Sequence, residues 1–123
     1  MDDLTAIMNT AMDFQNQGRL NKAEAIYLKV LEIDASNADA FHYLGLIYHA
    51  KGDFKKAAEV IGSAIKIDPG VAAFHANLAA SQLALGQPAL AENHAVRAVE
   101  LDKSIGTAHY NLGNAYFALG KTD

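Results

Sequence analysis

Asn9, Asn77 and Asn111 share one register with Tyr43, each position lying 34 residues beyond the last. A carboxamide carries a donor and an acceptor side by side, which matches the two hydrogen-bonding groups of a peptide bond. A row of such groups can hold an extended backbone without reading its side chains. Tyr43 interrupts the row, and asparagines on a polar, solvated surface need no ligand at all, so both readings stay open. The histidines invite a second chemistry, metal binding. His42 and His49 are seven residues apart, which puts them on one helix face but about 10 Å apart along the axis. One ion does not bridge that distance at ordinary ligand bond lengths. His75 and His109 occupy the slot that Phe41 holds in the second unit, a packing position, and His94 has no evident ligand partner. No metal site and no cofactor are expected. Catalytic chemistry finds no foothold either. Cysteine is absent, and Gly113-Asn114-Ala115 lacks the strand-loop-helix context of a phosphate loop. Glu24, Glu32, Asp53, Glu59 and Glu100 read as solvated helix faces or caps. The chain is not expected to be an enzyme.

The elements that position these residues follow from a single period. Gly18, Gly52, Gly86 and Gly120 stand 34 residues apart, as do Ala23, Ala57 and Ala91, and Asp34, Asp68 and Asp102. Three residue types locked to one period mark an array of similar units. Within Ala38–Val71, apolar residues recur with helical spacing to Ala50. Gly52 ends the helix by accepting a left-handed conformation, Asp53 suits the N-cap of a second helix, and Asp68-Pro69-Gly70 stops it. The pattern predicts helices at 3–16, 20–33, 38–51, 54–67, 72–85, 88–101 and 106–119. Small residues should mark close helix crossings: Ala11, Gly45, Ala79 and Gly113 on first helices, and the periodic alanines on second helices. Phe14, Tyr27, Phe41, Leu44, Tyr48, Leu78, Leu112 and Tyr116 should fill the space around them. A composition of 51% hydrophobic residues, rich in alanine, suits packed helices better than a sheet.

The unit Phe41-x-x-Leu44-Gly45-x-x-Tyr48-x-x-x-Gly52, followed by Ala57, Ala64 and Pro69, resembles the tetratricopeptide repeat. His109-x-x-Leu112-Gly113-x-x-Tyr116-x-x-x-Gly120 is similar. The first unit departs with Thr10-Ala11 for Leu-Gly, the third with Ala79 and Gln82. Ala35 and Lys103 stand where proline is usual. The resemblance covers residues 4–120. It implies an all-α, right-handed superhelical solenoid of antiparallel helix pairs, a single array over 1–123 with repeats at about 4–37, 38–71 and 72–105 and a half repeat at 106–120. It also implies a non-catalytic scaffold that binds a peptide or partner-protein segment in a concave groove lined by first helices. The candidate contacts are Asn9, His42, Tyr43, Asn77, Tyr110, Asn111 and Asn114, with Met8, Met12, Asp39, Leu46, His49, Ala76 and Phe117 beside them. The repeat domain of O-linked N-acetylglucosamine transferases is similar in using an asparagine ladder at this position. The carboxylate clamp of repeat domains that grip chaperone tails is not expected, because Ala73, Thr107, Asn77 and Asn111 stand where its cations would be.

Two alternatives remain. The array stops in the turn after a lone first helix, so Leu112, Tyr116 and Leu119 could leave apolar surface open to a second copy, making a self-assembling module. Equally, the chain could be the non-catalytic arm of a longer modular transferase. A net charge of −4 without a basic patch argues against nucleic acid. No apolar run is long enough to span a bilayer, and no membrane partner is expected. The absence of cysteine suits a reducing compartment, and Met1-Asp2-Asp3-Leu4 lacks the basic and apolar regions of a signal peptide. The expected location is cytoplasmic.

Overall fold

The computed structural model describes residues 2–121. It contains seven helices: α1 (Asp2–Asn16), α2 (Leu20–Ile33), α3 (Ala38–Ala50), α4 (Phe54–Ile67), α5 (Ala72–Ala84), α6 (Pro88–Leu101) and α7 (Gly106–Ala118). Three antiparallel pairs, α1–α2, α3–α4 and α5–α6, stack in chain order, and α7 packs on α5 and α6. Each element touches its neighbours in the row and little else, the layout of an α-solenoid. Helix ends fall within a residue of the predicted ones. Lys51, Leu85 and Leu119 are C-caps rather than helical residues.

Local chemistry sets the turns. Gly18, Gly52, Gly86 and Gly120 have φ of +78°, +82°, +73° and +77°, the left-handed conformation in which a Cβ is costly. Asp53 caps α4 by accepting from the Lys56 amide at 3.2 Å, and Asn37 caps α3 by accepting from the Ala40 amide at 3.0 Å. The three periodic aspartates share one task. Asp34, Asp68 and Asp102 each accept through Oδ1 from the amide two residues on, at Ser36, Gly70 and Ser104. This side-chain turn redirects the backbone without a proline, so Ala35 and Lys103 are tolerated where Pro69 stands.

Packing follows the small residues. Ala11, Ala23, Ala57, Ala79 and Ala91 are fully buried. A Cβ built on Gly45 would lie 2.3 Å from Ile61 Cγ1, so α3 and α4 touch at a distance only glycine permits. Tyr27, Leu44, Tyr48 and Leu78 are buried as expected, whereas Phe14, Phe41, Leu112 and Tyr116 are half-buried. Gly113 departs from expectation. A Cβ there meets nothing within 4 Å, because no described helix faces α7 as α4 faces α3.

Charged contacts tie second helices to the units that follow. Glu24 on α2 accepts from Tyr48 Oη at 3.0 Å and from Lys51 Nζ at 2.7 Å. Glu92, in the same register on α6, pairs with Lys121 at 3.0 Å. Sequence register conceals this repetition, because Lys51 and Lys121 are not equivalent positions.

Candidate functional site

The first helices α1 and α3 leave a pocket of about 260 Å³ between them. From α1 it is lined by Leu4, Thr5, Met8, Asn9 and Met12, and from the far side by Asn37, Asp39 and Tyr43. The spacing of Leu4, Met8 and Met12 puts them on one helical face. Tyr43 is held firmly. Its ring stacks on Tyr27 at 5.8 Å and 22°, and the fully buried Tyr27 donates its hydroxyl to Gln15 Oε1 at 2.9 Å. Burial pushes the Tyr27 hydroxyl pKa well above its ordinary value, so it stays a donor. Asn37 is fixed by its capping bond to Ala40. Methionines opposite these rigid groups supply a surface that adapts to shape. Asn9 is exposed at the rim.

The structure therefore brings Asn9 and Tyr43 to one pocket and gives the other two ladder positions different work. Asn77 Nδ2 donates to His42 Nε2 at 2.8 Å. Asn111 is buried, and its Nδ2 donates to the Ala76 carbonyl at 2.9 Å. Each reaches the residue 35 positions earlier, in the preceding unit, so these amides join repeats. Asn9 makes no such bond among the described residues. Asn77 keeps partial exposure, while Asn111 has little surface left for a ligand. His42 is also buried, with its ring 4.7 Å from that of Phe74. Burial lowers its pKa, so the neutral ring accepts from Asn77 through Nε2 and carries its proton on Nδ1.

Tyr110 does not line the pocket between α1 and α3. In earlier units its register is filled by His42, packed on Phe74 of α5, and by Ala76, clustered with Ala108 of α7. The position faces the next unit, and here it is 71% exposed. Phe117, at 81% exposed, follows the same logic, since His49 in its register bonds Ser81 of α5 at 3.1 Å. Asn114, in the register of Met12, is exposed. Of the three positions expected at an open end, Leu112, like Leu83, packs on the alanine cluster shared by α5, α6 and α7, and Tyr116 and Leu119 are half-buried. Tyr110 and Phe117 are the aromatic groups that face outward there. Their equivalents in earlier repeats were the signal that could have identified them.

The remaining histidines have structural partners. His75 Nε2 donates to the Pro69 carbonyl and His109 Nε2 to the Lys103 carbonyl, both at 2.8 Å. The slot expected to be pure packing thus also pins the turn between units, which Phe41 cannot do. His94 Nδ1 lies 3.1 Å from Gln82 Oε1 and 3.2 Å from the Leu90 carbonyl. Among the described residues, no group of three or more histidines, aspartates and glutamates is placed to hold a metal ion. No described helix is long and apolar enough to cross a membrane.

Comparison with known proteins matches this geometry. Stretches of the chain are similar to BBSome complex member BBS4 of Bos taurus, at 39% identity over 67 residues, which is 54% of this chain and 13% of that protein. The chain thus spans a small part of that relative's length. A mutant O-GlcNAc transferase of Thermobaculum terrenum superposes with a TM-score of 0.88 at 31% identity, covering 92% of this chain and 22% of that one. YrrB, a TPR protein with an unusual peptide-binding site, gives 0.80 at 26% identity, covering 95% and 67%. The first TPR domain of Spaghetti (RPAP3), bound to an HSP90 peptide, gives 0.91 at 19% identity over 95% and 93%, which is a likeness of fold. Family models described as TPR repeat or tetratricopeptide repeat match residues 14–52, 38–71 and 77–123. With those matches together running from the end of α1 through α7, the chain belongs to the tetratricopeptide repeat family.

Proposed function

We propose that this array is a non-catalytic scaffold that binds a segment of another protein along the face formed by its first helices. The pocket between α1 and α3 carries the reading. It combines a rigid aromatic wall at Tyr43, adaptable methionines at Met8 and Met12 and an exposed carboxamide at Asn9. Such a mixture of apolar anchor site and polar rim is what peptide recognition needs. Peptide binding by YrrB and by RPAP3, stated for those proteins, supports the same use of the fold. Asn9 and Tyr43 are the central contacts in this reading, Asn77 extends the row, Asn114 adds a polar contact in the register of Met12, and Asn111 and His42 position the row from beneath. The units near 4–37, 38–71 and 72–105, with the half unit 106–120, act as one module. A cytoplasmic location is part of the reading and rests on the cysteine-free composition.

Selection from a random-peptide display library, followed by fluorescence anisotropy on the selected peptides, tests it. Met12→Glu and Tyr43→Ala should each weaken binding by roughly tenfold, the scale of a buried anchor site. Peptides that bind both variants as well as the parent chain would refute the groove.

A second reading rests on a separate observation, the exposed Tyr110 and Phe117 beside an open Gly113. We infer that this face of α7 can also join two copies of the chain. The third use, as an arm of a larger enzyme, draws support from the transferase likeness over 22% of that chain.

A further inference from the structure

The pocket between α1 and α3 has a charge as well as a shape. Among the described residues, Asp39 is the one lining group charged at neutral pH, and no lysine or arginine lines the pocket. The ion pairs among the described residues are Lys51–Glu24, Arg97–Glu100 and Lys121–Glu92; Asp39 is exposed and takes part in none of them. His42, three residues on, supplies no counter-charge at neutral pH, since burial lowers its pKa from the ordinary 6.5. The chain as a whole carries −4. An acidic segment entering this groove would meet like charge with no compensating cation among the described lining residues, whereas a cation would find a carboxylate that takes part in none of the ion pairs above.

Size narrows the occupant further. About 260 Å³ falls below the roughly 300–1,000 Å³ typical of pockets that enclose a small-molecule ligand. It suits a single side chain instead. Leu4, Met8, Met12 and the ring of Tyr43 form the apolar part, and Asp39 and Asn9 stand beside it. Asn9 offers a donor and an acceptor that suit the backbone of an extended strand.

We propose that the pocket takes an apolar side chain carried next to a lysine or arginine in an extended segment of a partner protein, with Asp39 facing the cation. The proposal rests on the groove reading above and adds the chemistry of the ligand. Asp39 lies in the first turn of α3, where a negative charge also favours the helix. A purely structural role would therefore change stability and leave ligand preference alone.

Three fluorescein-labelled peptides of otherwise identical serine, threonine and glycine sequence serve as probes. Each carries a central Leu-Met pair, flanked by Lys-Arg, by Gln-Gln or by Glu-Glu. The Lys-Arg peptide should bind more tightly than the Glu-Glu peptide, by roughly two- to fivefold for each exposed charge contact. The gap should close in about 1 M salt. Asp39→Asn should bring the three peptides together, and Asp39→Lys should reverse their order. Thermal melts of both variants confirm that they fold. Equal binding of all three peptides, lost in Met12→Glu, would overturn the charge inference and leave the groove reading standing. Binding of none, while library peptides still require Met12, would do the same. If library peptides bind Met12→Glu unchanged, the groove reading itself fails, and this inference with it.

Discussion

An asparagine in a repeated register can serve a ligand or serve the repeat, and its hydrogen bonds decide which. Asn77 and Asn111 reach back to the unit before them, whereas Asn9, with no described unit before its own, stands at a pocket. The residue types were legible in sequence, while their partners 35 positions away were not, because that contact depends on how units stack. Titration belongs to the same scale. Glu24 is held below the ordinary carboxylate value chiefly by its hydrogen bond from Lys51, assisted by Tyr48. His42 and His94 are lowered by burial. In all three the folded state prefers the deprotonated form, so the unfolded chain binds more protons as pH falls. Their stabilisation is complete above the ordinary values of 6.5 and 4.5 and is lost as pH drops through the folded ones. Urea midpoints measured at successive pH values should fall first below 6.5 through the histidines and again below 4.5 through Glu24. Glu24→Gln should weaken the acid limb, to which Asp102, lowered by its bonds from Ser104, also contributes, and His94→Gln should soften the upper one. A midpoint that stays flat down to the acid limb would show that the histidines titrate equally in both states.

Helices were the most readable level of this chain. Their ends depend on local chemistry, glycines at positive φ and aspartates bonding the amide two residues on, and local chemistry repeats with the period. Which glycine is essential depends on the neighbouring helix, and sequence treats Gly45 and Gly113 alike. The structure separates them. A methyl at Gly45 would press on Ile61 at 2.3 Å and on Val60 at 3.2 Å, whereas one at Gly113 meets open space. Replacing a helical glycine by alanine gains roughly 1 kcal/mol in propensity, and overpacking costs about 1–3 kcal/mol. Gly113→Ala should therefore raise stability by up to about 1 kcal/mol. Gly45→Ala should lower it by up to about 2 kcal/mol after the two effects are combined. Chemical denaturation of both variants reads the difference directly. Equal shifts of the same sign would contradict the α3–α4 crossing described here.

Across the whole molecule, stability is a sum of units and the interfaces between neighbours, so a terminal unit that presents apolar groups invites a partner. Among the described residues, Tyr110 and Phe117 are the most exposed large apolar side chains at 71% and 81%. Both stand where earlier repeats pack a residue against the next unit, buried in the register of Tyr110 and half-buried in that of Phe117. A second copy covering this face should make the mass in solution rise with concentration in sedimentation equilibrium. Phe117→Glu would then restore a monomer by placing a charge in the contact. Mutation of Gly113 gives an independent readout of how the copies meet. If a partner helix settles on α7 as α4 settles on α3, a methyl at Gly113 must collide with it. Gly113→Ala should then stabilise the lone chain and weaken its association together, two effects that no general loss of fold can produce. Association that survives Gly113→Ala but not Phe117→Glu would mean that the copies meet through the outward aromatic edge instead. A chain that remains monomeric at every concentration would leave α7 as a free cap and end the self-association reading.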